Sequence, residues 1–237
     1  MITIDLNRMG IRPGDRILDM GCGPGRHVCA ACAHPDVIVV GADVSVGDLY
    51  EAKEKIDAHA AFGGPMNGEW DLAGADITAL PFSDISFDHV ICSEVMEHIV
   101  DEKKAASELI RILKPGGTLA ISVPRYLPER ICWALSEKYH DTAGGHVRIY
   151  KKERIMELFG SMGMTGFSFH YAHGIHSPYW WLKCLVGPEN ETSRCTSLYH
   201  RFLVWDIMKK PMLTRALDRL LTPAIGKSMV FYFKKTN

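Results

Sequence analysis

No apolar run in the 237 residues reaches the length needed to span a bilayer, and no internal repeat or low-complexity tract is present. A membrane-spanning helix and a repeat architecture are therefore not expected. Charge of one sign is also scarce. The formal net charge is -1, so no global field recruits nucleic acid or an acidic membrane. Nothing has the spacing of an RNA-recognition motif, and a nucleic-acid partner is not expected. Cysteine is present but unpaired in pattern: Cys22, Cys29, Cys32, Cys92, Cys132, Cys184 and Cys195 are odd in number and scattered, with no signal peptide before them. Thiols in a reducing cytoplasm fit best. Cys29 and Cys32 form a C-x-x-C, but no second pair follows at zinc spacing. The Asn190-Glu191-Thr192 sequon carries no meaning without secretion.

What is present is an ordinary globular composition, 47% hydrophobic and 23% charged. The length suits one large α/β domain with insertions or two small ones. Charge is unevenly spread. From Lys183 onward there are 10 Lys or Arg against 4 Asp or Glu, while residues 1–182 carry 17 against 24. The C-terminal quarter thus offers a basic surface, either a solvated face or one for an anionic substrate or membrane.

The first 125 residues alternate strand and helix signals. Strand-like runs occupy Arg16–Met20, Val37–Ala42, Trp70–Ala75, Phe87–Cys92 and Thr118–Val123. Helical signals begin near Gly25 and cover Val46–His59 and Asp101–Leu113, the last stopped by Lys114-Pro115-Gly116-Gly117. After Pro124 the rhythm changes: 125–150 reads as an irregular aromatic and charged stretch, Lys151–Phe159 as a helix, and Thr165–Tyr171 as a strand. Residues 172–227 hold aromatic and basic helical segments before a last strand, Ser228–Lys235. The pattern predicts an α/β, doubly wound, mostly parallel seven-stranded sheet with an antiparallel edge hairpin and a helical cap inserted at 172–227. The cap is expected over the carboxyl ends of the strands, where open α/β sheets bind ligands.

The most informative segment is Ile17-Leu18-Asp19-Met20-Gly21-Cys22-Gly23-Pro24-Gly25-Arg26. Gly21, Gly23 and Gly25 allow a tight strand-to-helix turn and close approach of a ligand to backbone. A dinucleotide fingerprint needs glycine where Arg26 stands, which disfavours a dehydrogenase. A carboxylate at Asp19 suits a cationic ligand group such as an ammonium, not a pyrophosphate. Asp43 lies 24 residues on, where an acid can accept hydrogen bonds from both hydroxyls of a ribose. Together with Asp76-Ile77 in the run Ala75–Phe82, Phe87–Ser93, and Leu113-Lys114-Pro115-Gly116-Gly117, these segments occur in one order.

That order over residues 12–125 resembles the class I methyltransferases that use S-adenosylmethionine (SAM). The resemblance implies a Rossmann-like fold, with residues 1–171 and 228–237 as the SAM-binding domain. It implies SAM contacts from Asp19, Gly21, Gly23, Gly25, Asp43, Val44, Asp76, Ile77 and Ser93, with Asp76-Ile77 at the adenine and Leu113–Gly117 as the turn before strand five.

Glu94-Val95-Met96-Glu97-His98 follows. If helical, Glu94, Glu97 and His98 share one face, and such oxygen and nitrogen donors suit a divalent cation. The pattern resembles the metal-binding segment of ubiquinone-pathway O-methyltransferases and of small-RNA 2′-O-methyltransferases. Those families add a downstream histidine, for which His146 in Gly144-Gly145-His146 is the candidate. The set Glu94, Glu97, His98 and His146 is therefore a candidate divalent-cation site. The alternatives are an active site lined by these residues without metal, with His146 or His98 as base and Glu97 beside them, or a structural cap. His170, His173 and His176 do not share a face, and one of them is a candidate substrate contact.

In the cap, Pro178–Leu182 and Leu198–Met208 are rich in aromatic and apolar residues. They form either a small helical core, an aromatic wall for a planar or hydrophobic acceptor, or, beside Lys209, Lys210, Arg215 and Arg219, a membrane-surface contact. The expected activity is methyl transfer from SAM to a small molecule, to a hydroxyl oxygen of a hydrophobic, aromatic, sugar or lipid acceptor. Carbon acceptors stay open, as does a SAM-binding protein without transfer. Nitrogen is disfavoured, because Ser93-Glu94-Val95-Met96 stands where amine methyltransferases carry Asn/Asp-Pro-Pro-Tyr.

Overall fold

A computed structural model describes residues 2–140, 145–190 and 192–236. Gly144 and Glu191, named above, lie outside them. Seven strands form one sheet: β1 (Arg16–Met20), β2 (Ile38–Asp43), β3 (Glu69–Gly74), β4 (Phe87–Ser93), β5 (Leu113–Pro124), β6 (Met164–Ala172) and β7 (Ser228–Lys235). Their order is β3-β2-β1-β4-β5-β7-β6. The pairings from β3 through β5 are parallel, and β7 alone runs antiparallel, against both β5 and β6. Chain reversal between β3 and β4 around β1 creates the switch point beside β1, where a crevice opens at the strands' carboxyl ends.

Both faces of the sheet are buried, and successive residues of a strand enter different cores. Leu18, Phe231 and Phe233 pack on one face with Leu109, Ile112 and Phe159. Ile17, Val230 and Tyr232 pack on the other with Val28, Ala52 and Ile56. That two-sided burial is why the strands read as continuous apolar runs. The first face is covered by α3 (Glu102–Ile112) and α6 (Lys152–Gly160), the second by α1 (Arg26–Ala31) and α2 (Val46–Ala61). Ser45 caps α2 by accepting from the Asp48 amide at 3.2 Å, and Asp101 caps α3 by accepting from Lys104 at 3.0 Å.

Three expectations are corrected. The stretch 125–150 contains α4 (Tyr126–Leu135) and α5 (Glu137–His140). Pro128 obscures the first, but it stands in the first turn, where a missing N–H costs nothing. Lys114–Gly117 is not a turn preceding strand five: β5 starts at Leu113, opposite Phe87, and the pairing resumes only at Thr118 opposite His89. The segment between is an outward bulge with Gly116 at φ 74°. Glu94–His98 is not an α-helix. Glu94 has φ 58° and only Met96–His98 forms a single 3-10 turn, so Glu94 does not share a helix face with Glu97 and His98.

Between β6 and β7 run a 3-10 turn at Gly174–His176 and three helices, α7 (Ser177–Val186), α8 (Arg194–Lys209) and α9 (Met212–Ile225). Trp181 on α7 donates to the Pro128 carbonyl at 3.1 Å, tying this segment to α4. No described helix is long and apolar enough to cross a membrane.

Candidate active site

The glycine turn follows β1 directly. Gly21, Gly23 and Gly25 all have positive φ, at 72°, 47° and 76°. A Cβ at Gly21 would overlap the Val95 side chain, and one at Gly25 would press on Ala52 and Ile56 of α2. Asp43, ending β2, holds the turn: one carboxylate oxygen accepts from the Gly23 amide at 2.9 Å and the other from the Ser45 amide at 3.0 Å. Val44 beside it is 75% exposed.

Asp19 is fully buried, and neither carboxylate oxygen has a hydrogen-bond partner among the described residues. Burial pushes its carboxyl up to about 7. Arg26 and, short of a hydrogen bond, the Val28 amide pull it down, and Asp43 adds to the rise. An orphaned buried carboxyl at the carboxyl end of a central strand is costly and fits a missing cationic partner. Asp76 sits in a turn after β3, exposed. Its Oδ1 accepts from the Thr78 amide and hydroxyl, both at 2.8 Å, which holds its carboxyl below the usual range. Ile77 is buried at its side. Ser93 pairs its hydroxyl with that of Ser122 at 2.8 Å.

A cavity of about 480 Å³ lies at the end of β4 and is lined by Glu94, Glu97, His98, His146 and Lys227, with Tyr179 and Trp180 of α7 and Leu203, Val204 and Ile207 of α8. The structure brings Glu97, His98 and His146 together, with one donor atom from each within 4.8 Å of the others. Glu94 is not in that group. Its carboxylate accepts from the Ser122 hydroxyl at 2.9 Å and lies 3.9 Å from Lys227. Glu97 is 1% exposed with both oxygens unpartnered among the described residues, and burial, reinforced by the Glu94 charge, drives its carboxyl well above the ordinary range.

His146 is set by a residue that the sequence reading missed. Its Nδ1 lies 2.6 Å from Oε1 of Glu129, on α4. The same Oε1 accepts from the Trp133 indole at 3.1 Å, which identifies it as an acceptor and Nδ1–H as the donor. Nε2 of His146 is the ring nitrogen that this bond leaves unused. His98 donates from Nδ1 to the Gly145 carbonyl at 3.3 Å, and its ring meets that of His146 edge-on at 4.9 Å. The signal for Glu129 was its place in the first turn of a helix whose apolar positions, Ile131, Cys132 and Leu135, were masked by the Pro and aromatics around them.

Of the three late histidines, His170 stacks on Tyr232, His173 meets the Thr3 hydroxyl at 3.2 Å and faces the His176 ring edge-on at 5.4 Å, and only His176 lines this cavity. Burial pushes the His176 imidazole down to about 4, and neither of its nitrogens has a hydrogen-bond partner among the described residues.

Residues 18–121 match the family model described as a methyltransferase domain. An O-methyltransferase of Pyrenophora dematioidea is 32% identical over 117 residues, 49% of this chain and 42% of that protein. A demethylmenaquinone methyltransferase of Clavibacter sepedonicus is 37% identical over 108 residues, 46% and 40%. These alignments span less than half the length of either relative. The structure of phosphoethanolamine N-methyltransferase 2 of Haemonchus contortus with S-adenosyl-L-methionine is similar in fold over 98% of this chain and 51% of that one, with a TM-score of 0.62 and 22% identity.

Proposed function

We propose that the chain, whose residues 18–121 match a methyltransferase domain, is a class I SAM-dependent methyltransferase that transfers the methyl group of SAM to a hydroxyl oxygen of a small hydrophobic or aromatic acceptor, with His146 as the base. The observation that carries the reading is the Glu129–His146 pair, 2.6 Å apart, with His146 lining the cavity at the end of β4 together with Tyr179 and Trp180. SAM would lie along the glycine turn. Asp19 would pair with its ammonium and Asp43 with its ribose hydroxyls. Val44, Asp76 and Ile77 would flank the adenine, and Ser93 would stand between the cofactor and the acceptor.

The sulfonium supplies an activated methyl carbon, and the protein's task is to align an oxygen with it. Tyr179, Trp180, Leu203 and Ile207 would hold the apolar body of the acceptor and exclude water. Nε2 of His146 would take the hydroxyl proton as the oxygen attacks, and the Glu129 carboxylate would stabilise the imidazolium formed. The buried, neutral His176 would bind a second polar group of the acceptor.

A second reading is favoured by the orphaned carboxyl of Glu97. Glu97, His98 and His146 would hold a divalent cation, a mixed oxygen and nitrogen set that suits several ions. Such an ion would lower the acceptor's pKa. Glu94 would take part only if its bond to Ser122 broke.

Labelled SAM with a panel of phenolic and aliphatic alcohols tests the transfer. His146→Ala should lower the rate by roughly 10²–10⁴-fold with SAM affinity unchanged. An unchanged rate removes His146 as the base. Full activity after chelation, with no metal by elemental analysis, removes the second reading.

A further inference from the structure

We propose that the α8–α9 hairpin docks the protein on the surface of an anionic lipid bilayer. On α9 the inner side is fixed: Thr222 accepts from the Gly174 amide at 3.1 Å, Asp218 accepts from Ile175 at 3.0 Å, and Thr214 bonds to Asp206 of α8. The outer side has no such partners. Met212 is 89% exposed, Leu213 81% and Leu220 75%, and Leu217 is exposed on the same stripe. Residues 212, 213, 216, 217 and 220 recur at helical spacing, so the stripe is continuous along the helix. Met208 and Trp205 extend it onto α8, both exposed.

The occupant follows from the charge beside that stripe. Lys209 and Lys210 form the corner between the helices, and Arg219 borders the α9 stripe and with Arg215 lines a cavity beside Asp218 and Thr222; all four cations are exposed. None of the four is in an ion pair with a described residue, although the rest of the chain is acidic in balance. A second copy of this basic face would repel it. An anionic headgroup layer would satisfy the cations, while the acyl boundary takes up the leucines and methionines, with Trp205 at the interface. No described helix can cross a bilayer, so the contact is peripheral.

Docking has a consequence for the acceptor, resting on the cavity being the acceptor site. Leu203, Val204 and Ile207 of α8 line that cavity. One helix thus borders the lipid on one side and the acceptor on the other, which suits an amphiphilic acceptor held in the membrane.

The test is flotation of the full chain with vesicles of phosphatidylcholine alone or with a third phosphatidylglycerol. The expected result is binding to the anionic vesicles, weakened by salt, with a blue shift of indole fluorescence that is lost in Trp205→Phe. Leu213→Glu with Leu220→Glu, and separately Lys209→Glu with Lys210→Glu, should each cut binding at least about tenfold, at roughly tenfold or less per charge near the surface. SAM affinity should stay unchanged in both, which certifies the fold. No flotation with either vesicle overturns the proposal, as does equal binding by both variants. A dimer in solution that Leu213→Glu dissociates also overturns it, because a second copy would then cover the stripe. Vesicle binding is read without turnover, so an inactive but vesicle-bound chain would refute only the transfer reading.

Discussion

The half up to Pro124, where we place the cofactor, and the half from Arg125 to Lys227, where we place the acceptor, build their sites by different means. In the first, position is set by backbone: three glycines at positive φ follow one strand, and Asp43 at the end of the next strand pins the Gly23 amide. In the second, position is set by side chains from separate segments. Glu129 of α4 holds His146 of a loop and α7 and α8 close the cavity, while His98, from a 3-10 turn of the first half, faces His146 across the boundary. A backbone-built site tolerates variation around it and keeps a short local signature. A side-chain-built site can be reached by many sequences, and it is the part free to change with the acceptor.

Breaking the acceptor half should have the larger effect on turnover. Glu129→Gln leaves an oxygen able to accept from both His146 and Trp133, so orientation survives while the charge opposite the imidazolium is lost. The expected result is a fall in kcat of roughly 10–10³-fold at unchanged SAM affinity, with Glu129→Ala lower still because the ring is then also free to turn. Single-turnover kinetics at saturating SAM read this. If Glu129→Gln turned over like the parent, the pair would be structural and the division between the halves would fail.

The cofactor half should respond in binding and in stability, with opposite signs. A buried Asp19 with its carboxyl raised from 3.8 to about 7 binds a proton more tightly folded than unfolded. Stability of the SAM-free protein should therefore fall as pH rises through that window, by up to about 4 kcal/mol. The ammonium needs the ionised form, so SAM affinity should fall as pH drops below about 7, by at most tenfold per pH unit. Asp19→Asn removes both effects. SAM binding should weaken by about 1.5–3 kcal/mol, while the SAM-free protein becomes more stable at pH above 7. Calorimetry and denaturant melts at two pH values check both signs. A variant that loses stability and keeps affinity would place Asp19 among structural acids.

The same contrast explains what could be read from the sequence. All seven strands, the order of the motifs and the glycine turn were legible, because each rests on neighbours within a few residues: apolar runs buried on two faces, and glycines where φ must be positive. The convergence of Glu97, His98 and His146 was legible only as a pattern. The helix assumed for it is absent, and Glu94 is drawn away by Ser122, a residue of a neighbouring strand with no local trace. Glu129 left only the masked signal of its place in the first turn of α4. Its role exists only once α4 packs beside the loop that carries His146.

The smallest expected effect lies at the outer edge of the cofactor half, at Asp76. Its Oδ1 is occupied twice, by the amide and hydroxyl of Thr78, so this oxygen holds the turn. The second oxygen is not used in that way and is the one able to accept from the amino group of an adenine. Asp76→Asn separates the two roles. The asparagine oxygen can keep both Thr78 bonds, so the fold should melt where the parent does. The amide nitrogen then replaces the free oxygen, and a donor faces a donor. The loss should be one ordinary hydrogen bond, about 0.5–1.5 kcal/mol, or roughly 2–12-fold in the SAM dissociation constant. Asp76→Ala should add a loss of stability as the turn opens, and its comparison with the asparagine variant isolates that part. An asparagine variant with the parent's affinity would leave Asp76 as a turn residue alone and move the adenine contact to the neighbouring Ile77, whose truncation would then carry the effect.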